Sequence, residues 1–172
     1  MLDTLKTVLE IIVAIFTIIG FISLYLVFFS KKLKLYKILS KNLSRKIAII
    51  SPNNGNELKM ENELKMLDNK IFGDKEIYTS YNNFKIEDNL GLVIVGYKKG
   101  AVNIEEFDNL VKKITSKNLP IIFYTYGDAN AFERNENDEF QKSIKQCSGN
   151  YLVNNFSLRL LGDVFSLMSI YK

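Results

Sequence analysis

The 172-residue chain has no histidine and no tryptophan, one cysteine (Cys147) and two prolines (Pro52 and Pro120). Without histidine there can be no Ser-His-Asp triad, no imidazole general base and no imidazole metal ligand. A single cysteine rules out an intramolecular disulfide and a Cys-ligated zinc site built within one chain. Cys147 precedes Ser148-Gly149-Asn150, which reads as a turn, and with neither a histidine nor a second cysteine it reads as structural. Acid is also scarce where base is dense. Residues 31–46 hold Lys31, Lys32, Lys34, Lys37, Lys41, Arg45 and Lys46 without a single Asp or Glu. Of the 23 basic residues, those seven and Lys6 leave 15 for residues 47–172, against 17 acids. The net charge of +4 therefore belongs to one short stretch, and the rest of the chain is mildly acidic. This argues against a nucleic-acid-binding domain, which needs a basic face on the folded body.

Charge is missing altogether from Ile11 to Ser30, IIVAIFTIIGFISLYLVFFS. As a helix, those 20 residues span about 30 Å, the thickness of a bilayer's hydrocarbon core. A secretory signal has a basic start, a shorter apolar core and a small-residue cleavage site. Here the basic cluster comes after the apolar run. Residues 1–30 are therefore expected to form a transmembrane helix. The positive flank places residues 31–172 in the cytoplasm and the N-terminus outside, a single pass through the cell inner membrane.

Within the span, Thr7, Glu10, Ala14 and Thr17 share an arc of about 80° at 100° per residue, and Gly20 continues the small-residue series. Small and hydroxyl side chains let helices pack closely in lipid, so these five residues form a candidate face for homo-oligomers. Glu10 either reaches for the outer interface or joins a ring of carboxylates in an oligomer. Residues 31–45 read as a basic helix. It either rests on anionic headgroups or couples the span to the domain beyond it.

From Lys46 the pattern changes to short apolar runs alternating with amphipathic stretches. Strands are expected at 46–51, 75–80, 90–97, 119–126 and 151–154. Helices are expected at 57–69, 104–116, about 136–146 and 157–171. Continuous apolar strands with intervening helices imply a mainly parallel sheet covered on both faces. The expected fold class is α/β: an N-terminal transmembrane helix, then a three-layer sandwich with a mainly parallel five-stranded sheet over residues 46–172.

In an open parallel sheet, ligands lie beyond the carboxyl ends of the strands. Those ends carry Ser51, Asn53, Asn54 and Gly55 after the first strand. Tyr97, Lys98 and Lys99 come after the third, Thr125 and Tyr126 after the fourth, and Asn154 closes the fifth. Rings, lysines and amides of this kind suit a nucleotide; a polar turn with solvated lysines is the plainer alternative. The chain has neither a GxGxxG fingerprint nor a P-loop. No cofactor is expected beyond such a nucleotide ligand.

The stretch Leu92–Lys113, LVIVGYKKGAVNIEEFDNLVKK, resembles the TIR segment in which an apolar strand, a polar loop and a helix with an acidic residue come in succession. That resemblance implies Glu105 or Glu106 as the candidate catalytic residue of an NAD-cleaving enzyme. The alternative is an acidic first turn that stabilises its own helix. A single span joined to a small flavodoxin-, TIR- or CARF-like domain also resembles the membrane effectors of bacterial anti-phage systems. It implies an oligomer that senses a nucleotide second messenger or a cytoplasmic sensor protein and then permeabilises the bilayer. A passive anchor that recruits a partner is the third possibility.

Overall fold

The computed structural model describes residues 2–52, 65, 72–126, 138–147, 150–155 and 157–170; for residues 2–12, 157 and 158 it describes the backbone alone. The chain divides into two compact units, Met1–Leu39 and Ser40–Lys172. The expected helix at 57–69 and the turn residues Asn53, Asn54 and Gly55 lie outside the described residues, except for exposed, helical Lys65.

Helix α1 runs without interruption over Leu2–Leu43. It is rich in Ile, Val and Phe, which are indifferent helix formers in water. In lipid, however, a helix satisfies every backbone N–H and C=O internally. The stretch from Val13 is long and apolar enough to cross a membrane, and none of its apolar window is buried. Forty-two residues give a helix of about 63 Å, twice the roughly 30 Å that a bilayer core requires. The basic residues 31–41 thus continue the same helix beyond the uncharged run.

The second unit begins with the last turn of α1, where Asn42 and Leu43 are buried. Beyond Ser44 and Arg45 the chain enters strand β1 (Lys46–Ile50). Then come β2 (Lys75–Tyr78), β3 (Leu90–Gly96), helix α2 (Ile104–Thr115), β4 (Ile121–Tyr124), helix α3 (Glu139–Ile144), β5 (Tyr151–Asn154) and helix α4 (Ser157–Ile170). The five strands lie in the order β2-β1-β3-β4-β5 and all pair in parallel. This is the flavodoxin-like doubly wound order. The sequence expectation of a mainly parallel five-stranded sheet holds.

The β-branched runs suit strands buried on both faces. One face carries Ala48, Ile50, Val93, Val95, Ile121 and Phe123. Against it pack Phe107, Leu110, Val111 and Ile114 from α2, and Phe140 and Ile144 from α3. The other face carries Ile47, Ile49, Leu92, Ile94 and Ile122, all buried, and α4 packs on β3 and β5 with Leu160, Val164, Leu167 and Met168 buried. The β2–β3 crossover, residues 79–89, holds no helix. Tyr81 and Phe84 fill that position instead, both buried in the same core as Phe107. Phe84 meets Tyr78 edge to face at 5.3 Å.

Two glycines shape the entry to the sheet. The Gly73 amide donates to the Leu43 carbonyl at 2.8 Å, capping the end of α1. A Cβ on Gly73 would lie 2.7 Å from the Arg45 carbonyl carbon, which is backbone and cannot turn aside. Gly91 sits at a register shift between β1 and β3 and lies against the Arg45 side chain.

Gly73→Ala must move backbone and is expected to cost about 1–3 kcal/mol. Gly162 in α4 has open space where a Cβ would go, so Gly162→Ala is expected to add about 0.5–1 kcal/mol through helix propensity. Denaturant titration of the full chain in detergent, monitored by circular dichroism, measures both. Equal effects of the two substitutions would contradict the packing assigned to Gly73.

Candidate functional site

The parallel order places Ser51, Tyr97, Thr125 and Asn154 at one edge of the sheet, where β1, β3, β4 and β5 end. Register fixes their spacing. Ile50 pairs with Val95, so Ser51 stands beside Gly96 on the β1 side. Gly96 pairs with Tyr124 on the β4 side, and Tyr124 pairs with Asn154 beyond it. By strand alternation, Ser51, Gly96, Tyr124 and Asn154 share one face, whereas Tyr97 and Thr125 belong to the other.

On the first face, Tyr126 dominates. Its φ of 55° puts it in the left-handed region, which costs a non-glycine residue about 1–3 kcal/mol. The chain thereby turns back, and the phenol lies over Gly96. A Cβ at Gly96 would meet the Tyr126 hydroxyl well inside van der Waals contact and its Cζ at 2.9 Å. The phenol oxygen then reaches Ser51 Oγ at 3.0 Å, where either hydroxyl can donate. The Tyr126 ring stands edge-on to Tyr124, with 5.1 Å between centroids. Farther along, buried Asn154 donates from Nδ2 to Asp163 Oδ2 of α4 at 2.6 Å.

On the second face, Tyr97 turns into the core. It stacks on Phe140 at 4.2 Å and tilts against Phe107 at 4.9 Å. It is 6% exposed, so its ring offers no open face to a base. Tyr81 donates its hydroxyl to the Gly96 carbonyl at 2.6 Å, tying the crossover to the end of β3. Thr125 is fully buried. Its amide donates to the Asn154 carbonyl at 2.9 Å, and its Oγ1 has no hydrogen-bond partner among the described residues. Lys98 is exposed, and Lys99 lies 4.0 Å from Asp138, the cap of α3.

Glu105 and Glu106 occupy the first turn of α2. The Asn103 side chain caps that helix by accepting from the Glu105 amide at 3.0 Å. Glu105 is exposed and Glu106 half-buried. The charge of Glu106 adds to the burial that holds the Tyr81 phenol neutral. Among the described residues, no three of His, Cys, Asp and Glu gather in a way that could hold a metal ion. Ala14, Thr17 and Gly20 are exposed along α1. The Thr17 hydroxyl bonds its own helix at Val13 O, 2.8 Å away. Thr7 and Glu10 lie where only the backbone is described.

The structure therefore joins Ser51 to Tyr126, sets Thr125 beside Asn154, and separates Tyr97 from both. Gly96 and Tyr124 close the third and fourth strands in sequence without standing out as site residues, and sequence reading missed Tyr81 and Asp163. The one signal for Gly96 was a glycine closing a β-branched run, LVIVG, where a side chain would otherwise fit.

The chain matches no known protein family and no curated protein. Solved structures do share its fold. A two-component response regulator/GGDEF domain protein is 16% identical with a TM-score of 0.50, over 78% of this chain and 53% of that one. The response regulator ChrA of a heme-sensing two-component system is 12% identical with a TM-score of 0.48, over 73% of this chain and 57% of that one. A CheY-like receiver domain protein from Methanospirillum hungatei JF-1 is 13% identical with a TM-score of 0.47, over 72% of this chain and 93% of that one. This chain thus spans little more than half the length of the first two. At such identities the likeness concerns the fold, a flavodoxin- or CheY-like sheet.

Two phenols in this region titrate high. Burial is the first cause at Tyr81 and at Tyr78, where a hydrogen bond with Glu76 adds to it and the value reaches about 12. Both are neutral in the folded chain and ionise near pH 10 once unfolded. The folded state then binds more protons above about pH 10, so stability is level below that pH and falls as pH rises towards about 12. A tyrosinate absorbance titration checks this. At least two fewer tyrosines should ionise in the folded chain than in the urea-unfolded chain across that window.

Proposed function

We propose that the chain is a single-span membrane signalling protein. Helix α1 holds it in the bilayer, and its receiver-like body takes a signal at the carboxyl edge of the sheet. The signal is a nucleotide-type small molecule or a partner protein. The basic residues 31–46 keep the body on the cytoplasmic side of the cell inner membrane.

One observation carries this reading. A helix whose apolar window is unburied runs on, through Ser44 and Arg45 alone, into the first strand of the sheet. A helix that anchors and nothing more could end in a loose linker. Here its last residues are fastened. Leu43 is buried, Gly73 caps it, and Ser44 donates from its amide to Ser40 O and from its hydroxyl to Lys41 O. A solved structure that shares the fold is named a two-component system response regulator/GGDEF domain protein, which supports a role in signalling.

A finer form of the proposal has several copies pack through Thr7, Glu10, Ala14, Thr17 and Gly20 and disturb the bilayer when the signal binds, as anti-phage membrane effectors do. It is favoured by Gly20, which has open space around the position of a Cβ, so that a neighbouring helix could approach closely.

The full chain should float with liposomes in a density gradient and resist alkaline extraction. A tag after Lys172 should be protected from protease in intact spheroplasts. A chain that stays monodisperse in detergent-free buffer and remains at the bottom of the gradient would remove the reading. Replacing Gly20 by Ile should leave flotation intact and, in the finer form, lower the number of copies cross-linked in vesicles.

A further inference from the structure

The crevice between the ends of β1 and β3 is where the strand order of this sheet reverses, and it is the usual ligand position in such folds. In this chain it has a floor without a side chain, Gly96. Its wall is an aromatic ring, Tyr124, and its far end is a hydroxyl, Ser51. Tyr126 fills it with a planar side chain whose hydroxyl end lies over the floor, whose ring stands edge-on to the wall and whose oxygen hydrogen-bonds at the far end. We infer that this crevice is a binding site for a planar heteroaromatic ring with a hydrogen-bonding edge, such as a nucleobase, and that Tyr126 occupies it in place of that ligand. The inference rests on the proposed signalling role and gives its ligand a chemical class.

Three features separate this ring from ordinary core packing. Tyr81 and Tyr97 are buried at 5% and 6% exposure, whereas Tyr126 remains half-exposed. Tyr126 reaches its place only by adopting φ 55°, a conformation tyrosine rarely takes. The strand beneath it is Leu92-Val93-Ile94-Val95, and side chains stop at the one position that the ring covers. A phenol held in strained backbone is well suited to leave. Its departure would free Gly96 as a flat platform and Ser51 Oγ as a group that both donates and accepts. Among the described residues, neutral hydroxyls and rings line the slot, which favours contact with a base over contact with its phosphates.

A side chain that competes with a ligand lowers the apparent affinity by the fraction of chains in which the slot is open. Equilibrium dialysis of AMP and GMP against the full chain in nanodiscs reads that fraction. Tyr126→Ala should bind one of the two about tenfold more tightly than the natural chain. Adding Gly96→Ala to that variant should remove the gain, because the methyl group occupies the floor. Tyr126→Phe keeps the ring but not its bond to Ser51, and should bind about threefold more tightly.

A folded Tyr126→Ala that binds no more tightly than the natural chain overturns the inference. If Tyr126→Ala does not fold, an unchanged affinity of Tyr126→Phe overturns it equally. Equal binding by all the variants would leave a nucleotide site elsewhere, preserving the signalling proposal while this assignment falls. Absence of binding in every variant would end both the assignment and the nucleotide form of the proposal.

Discussion

Parallel pairing of β1 with β2 on one side and β3 on the other is the constraint on which the rest of the body depends. A central strand of an all-parallel sheet is covered on both faces by the crossover connections, which explains why Ile47, Ala48, Ile49 and Ile50 are all buried. Parallel pairing also sends every carboxyl end the same way, so groups that serve a ligand collect at one edge without being close in sequence. The opposite end of β1 receives α1 through two residues. A strand of five residues, about 17 Å long, thus connects the capped end of α1 to Ser51.

Much of this architecture is legible in the residues, because burial on both faces writes a simple pattern. KIAII, LGLVIVG and LPIIFY are uninterrupted apolar runs at the right length, and helices of 3.6 periodicity separate them. The long apolar helix is legible for a simpler reason, since 20 uncharged residues ending at two lysines have the length that a bilayer core requires. The β2–β3 crossover is legible as too short and polar for a long helix. That Tyr81 and Phe84 plug the core in its place is not, since their partners Phe107 and Gly96 lie far along the chain.

The site is only half legible. Strand ends name one edge of the sheet, but not which face of the sheet each residue joins. Tyr97 and Tyr126 look alike in sequence, each an aromatic residue closing an apolar run. Alternation sends the first into the core, against Phe140, while a positive φ folds the second back over Gly96. Nothing local distinguishes them, because the deciding interaction joins Gly96 to a residue a whole crossover further along the chain. The segment Leu92–Lys113 carries the same lesson. A strand, a polar loop and a helix also follow one another in any doubly wound fold, so this order alone does not distinguish a TIR-like segment from its architecture. Glu105 here faces water, and its amide is engaged by the cap at Asn103.

The chemistry of the edge narrows what can bind there. Carboxylates that would draw a divalent cation do not cluster among the described residues. Asp163 is turned to Asn154, and Asp138 caps α3 and faces Lys99. At the ends of β1, β3 and β4, the described residues set neutral hydroxyls and phenols around one bare backbone position. A charged ligand would gain little in such a slot, because burying charge without a paired charge costs more than neutral hydroxyls return. A flat, uncharged ring gains dispersion against Gly96, an edge-on partner in Tyr124 and one hydrogen bond from Ser51. Tyr126 already makes these interactions from within the chain, and it does so despite an unfavourable backbone.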